Sequence, residues 1–212
     1  MTTLPNDDHE KSQKEVQRLL GRCLLRIQLF EKQLKAFIAH HDISGTVYSS
    51  GTSHNFEAEL EARKSGVAGK TLGNLMGALF ESVVVPCNFT PPEKDDTPPK
   101  GGAWVRSNYY VALPDEDYDQ IKSELKEFVE LRNNLVHHFL DQHDLWSPDG
   151  CRAAQDALIM AYDRIDHHFG QLREWAEDMD KIRHTMSEFL QSKEFEELFV
   201  NGIAPDGKVN WE

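Results

Sequence analysis

Apolar residues recur three and four positions apart along most of this chain, which is the spacing of one face of an α-helix. Val16, Leu19, Leu20, Cys23, Leu24, Ile27, Phe30, Leu34, Phe37 and Ile38 keep that period and predict a first helix from near Asn6–Ser12 to about His40. Residues 43–53 are rich in Gly, Ser and Thr and read as a loop. Phe56 to Lys64 predicts a short helix with little apolar surface. Leu72 to Val85 predicts another, capped by Thr71, with Leu72, Leu75, Met76, Leu79, Phe80 and Val83 on its core face. Gly73 and Gly77, four apart on that helix, fit a packing role.

Between Pro86 and Pro114 the helical period stops. Pro91-Pro92, Pro98-Pro99 and Gly101-Gly102 predict an exposed loop or insertion over 86–114, and Trp104 to Leu113 adds β-prone residues suited to a short strand or hairpin. Pro114-Asp115-Glu116-Asp117 is a helix start with acidic residues at the positive end of the dipole. The helix it opens is expected to run to Gln142–Leu145. On a straight helix Tyr118, Ile121, Leu125, Phe128, Val129, Leu135, Val136, Phe139 and Leu140 share a face, with Arg132 in its middle. Ser147-Pro148 caps a last long helix, in which Leu158, Tyr162, Ile165, Phe169, Leu172, Ala176, Met179, Met186 and Leu190 form a bundle or coiled-coil seam. A seam of that length suits a dimer interface. A short helix near 194–200 and a tail over 202–212 complete an all-α pattern, read as one domain over 1–212.

At 212 residues the chain can bury a full core, and 39% hydrophobic with 28% charged residues fits a soluble globular protein. No run approaches eighteen apolar residues, and the N-terminus lacks the basic start and apolar stretch of a signal peptide. Cys23, Cys87 and Cys151 form no C-x-x-C pair, so the expectation is a cytoplasmic protein without a disulfide framework and with no membrane partner. A net charge of −13 argues against a general nucleic-acid coat protein but leaves room for a local basic cleft. Lys14, Arg18, Arg22 and Arg26 fall four apart along the first helix. They read either as a solvated charge row or as a rail for RNA phosphates.

Several chemistries drop out. Gly66 to Thr71 lacks the first glycine and the leading strand of a phosphate-binding loop, and no G-x-S-x-G motif is present. His40-His41 and His167-His168 are adjacent pairs whose side chains should diverge on a helix, so neither metal nor cofactor is expected. Trp104, Tyr109 and Tyr110 suit either base stacking or aromatic cover of the bundle.

What remains is Arg132-Asn133-Asn134-Leu135-Val136-His137. A guanidinium on an apolar face needs an acidic partner or a wet cleft, so Arg132 reads either as a structural ion or as part of a site. Asn133 and His137 are helix neighbours, close enough for the amide to orient the imidazole. The hexapeptide resembles the R-(N/D/H)-X-X-X-H signature of the HEPN superfamily, small all-α domains that include metal-independent endoribonucleases of toxin–antitoxin, abortive-infection and CRISPR systems. The resemblance covers about a dozen residues closely and the rest only in architecture.

It implies an up-down helical bundle, a homodimer in which two motif copies meet, and RNA cleavage by the neighbouring 2′-hydroxyl at Arg132, Asn133 and His137. A toxin, abortive-infection or antiviral-defence setting, with an inhibitor or antitoxin protein as regulator, comes with it. Arginine would grip the doubly charged phosphorane and histidine would move the proton. His138 is the backup for His137. On a straight helix Arg132 and His137 point about 140° apart, an awkward fit that a dimer eases. Toxins of this superfamily paired with nucleotidyltransferase antitoxins resemble R-X4-H-X-Y, whereas this chain has Phe139 at the last position and no hydroxyl to modify. The alternative is a non-catalytic helical module that binds RNA or a protein partner through the same groove, or a bundle adaptor in which Arg132 is a buried ion.

Overall fold

The computed structural model describes residues 5–48, 53–54, 56–91, 102–195 and 197. Among the described residues six α-helices dominate: α1 (Pro5–His40), α2 (Phe56–Ala68), α3 (Leu72–Ser82), α4 (Asp115–Asn133), α5 (Phe139–Gln142) and α6 (Pro148–Leu190). A π turn, Asn134–His138, joins α4 to α5. The protein is mostly helical, as the periodicity requires. No helix among the described residues is long and apolar enough to cross a membrane.

Three long helices make the core. Gln155 reaches Ser12, Arg22 lies over Tyr162, Trp175 stacks on Phe37 and Arg183 reaches the carbonyl of His40, so α1 and α6 advance side by side in the same direction. Helix α4 runs against both. Its Phe128 meets Phe30, while Leu145, beyond its end, receives hydrogen bonds from Gln13 and contacts His9 near the start of α1. Phe30, Leu34 and Phe37 of α1, Leu72, Leu75 and Leu79 of α3, Leu125 and Phe128 of α4, and Leu158, Ile165 and Leu172 of α6 are buried in one cluster. Each such side chain contributes about 1.5–3 kcal/mol. The seam of α6 stays buried as far as Met179, beyond which Ile182 and Phe189 are exposed.

The caps follow the sequence. Thr71 Oγ1 accepts from the amide of Asn74, and Ser147 Oγ accepts from the amide of Gly150 with Pro148 in the first turn. At Gly150 the preceding loop crosses so closely that a Cβ would sit 1.9 Å from the carbonyl oxygen of Asp144.

Two small sheets correct the loop assignments. Residues 43–53, expected as a loop, contribute to β1 (Asp42–Tyr48) and β2 (Ser53–His54), and β1 pairs antiparallel with β4 (Gly102–Asn108) from Asp42↔Asn108 to Tyr48↔Gly102. Polar, Gly-rich segments can pair when a distant partner completes the ladder, and here the ends are tied by Arg106, which donates to both carboxylate oxygens of Asp42 at 3.0 and 2.5 Å. Arg63 of α2 lies 3.4 Å from the same carboxylate and Ser44 donates to Glu59, so this sheet rests on α2.

The predicted helix to Val85 stops at Ser82, because Val84–Pro86 forms β3, parallel to β5 (Val111–Leu113). A run of β-branched valines ending in proline favours that outcome. Residues 86–114 are therefore not simply an exposed loop: β4 and β5 lie within them, each paired elsewhere rather than with the other, and Val111 is buried. The proline pair at 98–99, the tail over 202–212 and most of the short helix expected near 194–200 lie outside the described residues.

Replacing Gly150 with alanine should destabilise the protein by about 1–3 kcal/mol through displacement of the Asp144 carbonyl, read as a lower urea midpoint with unchanged slope. An unchanged midpoint would mean the loop yields freely.

Candidate functional site

Arg132, Asn133 and His137 straddle the junction of α4 and the π turn. The face predicted for a straight helix survives in part: Leu125, Phe128, Leu135 and Phe139 are buried and Tyr118, Ile121 and Val129 pack against the core, whereas Val136 and Leu140 are 46% and 74% exposed. A π turn closes on the fifth residue instead of the fourth, so it takes in one extra residue and rotates the helix beyond it. The same change brings positions five apart towards a common face, which reduces the 140° separation of Arg132 and His137 on a straight helix. His138 ends the turn at φ −125°, ψ 3°, away from helical values.

Arg132 is half-buried. Its Nη1 donates to Asn133 Oδ1 at 3.0 Å, and its Nε lies 3.8 Å from Glu31 of α1. Asn133 is thus engaged with the guanidinium rather than orienting His137, which corrects the expectation from helix spacing. His137 is exposed, with its ring 6.3 Å edge-on from that of His138 and no hydrogen bond or ion pair among the described residues. His138 is also exposed and has a carboxylate, Asp141, 3.6 Å from its Nδ1. The structure therefore places Arg132 and Asn133 at the end of α4 and His137 in the π turn that follows, with no hydrogen bond between arginine and histidine among the described residues. Phe139 is buried against His143.

The weaker candidates are occupied within the chain. Lys14 pairs with Glu10 and Arg18 with Glu15, Arg22 lies over Tyr162, and Arg26 bonds to Asp166 and lies over Phe169. Such partners reduce the positive field that an RNA rail needs. Tyr109 is half-buried edge-on to Phe37, its hydroxyl pKa pushed up by burial, and Tyr110 rests near Phe89. The side chain of Trp104 lies outside those described.

A second polar cluster was not foreseen from the sequence. Between α4 and α6 an open cleft of about 460 Å³ is lined by Glu124, Glu127, Asp163, Arg164, His167 and His168. One ligand atom from each of Glu124, His167 and His168 lies within 4.8 Å of the others. The two histidines do diverge, His167 exposed and His168 buried, yet the expectation that such a pair gathers no ligand set is corrected here. Their ring centres are only 5.5 Å apart, and a third group arrives from the neighbouring helix. The adjacent His167 and His168 on α6 were the local signal; Glu124 could not be paired with them without the fold.

Arg164 donates to Glu127 at 3.0 Å. His168 is 5% exposed, packs against Phe128 and has an Nδ1 with no hydrogen-bond partner. Burial, helped by the neighbouring His167 and Arg164, lowers its pKa to about 4.

Comparison of the chain with protein-family models, with curated proteins and with solved structures finds no significant match.

The buried His168 sets a pH dependence. It protonates near 6.5 when unfolded and near 4 when folded, so the unfolded state binds the extra proton between those values. Its contribution to stability is full above about pH 6.5 and is lost as pH falls towards 4. In chelator-containing buffer, the melting temperature of the wild type should fall more steeply between about pH 7 and pH 4.5 than that of His168→Asn. Parallel profiles would show that His168 is not the group responsible.

Proposed function

We propose that this protein is a HEPN-like, metal-independent endoribonuclease that acts as a homodimer, with Arg132 holding the scissile phosphate and His137 moving the proton. The observation that carries the reading is the π turn itself. It follows directly on a half-buried guanidinium, which Asn133 braces at 3.0 Å, and carries an exposed imidazole that has no hydrogen bond among the described residues. π turns inside α-helices cost helix regularity and are frequent at functional sites. Glu31, at 3.8 Å, holds Arg132 without a close bidentate pair, which leaves donors free for phosphate oxygens.

In the reaction the ribose 2′-hydroxyl attacks the adjacent phosphorus as histidine takes its proton, and the 5′-oxygen leaves with a proton from a second donor. The products are a 2′,3′-cyclic phosphate and a 5′-hydroxyl. The second imidazole is supplied by the partner's copy of the motif, and the exposed Val136 and Leu140 beside His137 offer the apolar contact for that dimer. Toxin or antiviral-defence use, with an inhibitor protein, extends this reading. The buried Phe139 disfavours control by modification at that position. The exposed apolar pair also favours the alternative of a non-catalytic module that captures RNA or protein at the same turn.

The test is cleavage of end-labelled RNA in EDTA by the folded wild type. Arg132→Ala and His137→Ala should each lower cleavage by roughly a hundred-fold or more, while His138→Ala retains most activity. Absence of cleavage by folded dimer across varied RNAs would favour the binding module, and a fully active monomer would contradict the composite site.

A further inference from the structure

The cleft between α4 and α6 carries chemistry that RNA cleavage at Arg132 does not use. Glu124 lies eight residues before Arg132 on the same helix, about 12 Å along its axis, so the two sets are separate. Two imidazoles and a carboxylate are the donor types that zinc and similar borderline divalent metals accept. Their ligand atoms lie within 4.8 Å of one another, whereas tetrahedral coordination at about 2.1 Å spaces donors about 3.4 Å apart. Small side-chain rotations close that difference, since Glu124 and His167 are not locked in the core.

The local charge favours a dication. Glu124, Glu127 and Asp163 line the cleft against the single positive charge of Arg164, whose guanidinium is turned to Glu127. A second, independent observation points the same way. His168 is 5% exposed, lines the cleft, and keeps a buried Nδ1 without a partner. A buried polar atom left unsatisfied is destabilising, and a bound ion is one of its few explanations.

We propose that Glu124, His167 and His168 form a binding site for one zinc-class divalent ion, which ties α4 to α6, with a water or the carboxylate of Asp163 or Glu127 in the remaining position. The ion bridges two helices whose residues are distant in the chain, so it stabilises the folded state by mass action. The buried histidine supplies the neutral imidazole that ligation requires.

The experiment uses full-length protein freed of metal with chelator, then titrated with Zn²⁺ by calorimetry and with Co²⁺ by visible absorption. The wild type should take up one equivalent, give cobalt ligand-field bands, and melt at higher temperature with zinc. Glu124→Gln and His167→Ala replace accessible side chains and should remain folded by circular dichroism. Each should weaken binding roughly ten-fold or more and lose the zinc-dependent rise in melting temperature. A His137→Ala/His138→Ala variant should bind as the wild type does. Absence of saturable binding by the wild type, or undiminished affinity in both Glu124→Gln and His167→Ala, overturns the proposal.

Discussion

The ring of Phe128 has no exposed surface and is held from two sides, edge-on by Phe30 of α1 at 4.9 Å and tilted against His168 of α6 at 5.1 Å. That contact fixes α4 between the two long parallel helices. Glu124 and Arg132 lie one turn before and one turn after it, on the same stripe of α4. Glu31, beside Phe30, therefore meets Arg132, while Glu124 meets the pair of His167 and His168. Removing a ring so placed typically costs about 3–5 kcal/mol, a large share of a domain's stability, and would loosen both polar sites together.

The two sites divide the polar chemistry of the molecule. One is a guanidinium at the end of α4 and a solvent-open imidazole in the π turn that follows. The other is a carboxylate-rich cleft with a partly buried histidine pair. An overall charge of −13 suits the second site more readily than the first. The basic row of α1 does little to offset it, because its members are drawn to Glu10, Glu15 and Asp166 or lie over Tyr162 and Phe169. Under the proposed reading, RNA engagement at Arg132 would therefore depend on the local pair and on a second copy of the motif rather than on a broad electropositive surface.

The helices were legible because their apolar period runs for several turns and their starts carry local signals: the capping side chains of Thr71 and Ser147, and Pro114 before an acidic first turn. The strands were not. Asp42–Tyr48 looks like a loop until Gly102–Asn108 supplies its partner, and Val84–Pro86 depends on Val111–Leu113, a pairing set by the tertiary fold. The π turn was hidden for a different reason: Leu135 and Phe139 keep the apolar spacing of four that an ordinary α-helix has, so nothing in the pattern shows that an extra residue enters the turn. Arg132, Asn133 and His137 could be singled out from their residue types and spacing, but not the engagement of Asn133 with Arg132. The Glu124, His167 and His168 cluster joins two helices, and only its histidine pair lies within one local stretch.

The most direct measurement of the central claim, that the π turn is what makes Arg132 and His137 a working pair, is RNA cleavage by a variant lacking His138, a deletion inside the turn that leaves Arg132 and His137 five residues apart. Deleting one residue lets α4 continue into α5 as an ordinary α-helix, with the faces of Phe128 and Phe139 retained. The account predicts a folded, helical protein whose cleavage falls by roughly a hundred-fold or more relative to an active wild type. Cleavage by that variant at the wild-type rate would contradict it.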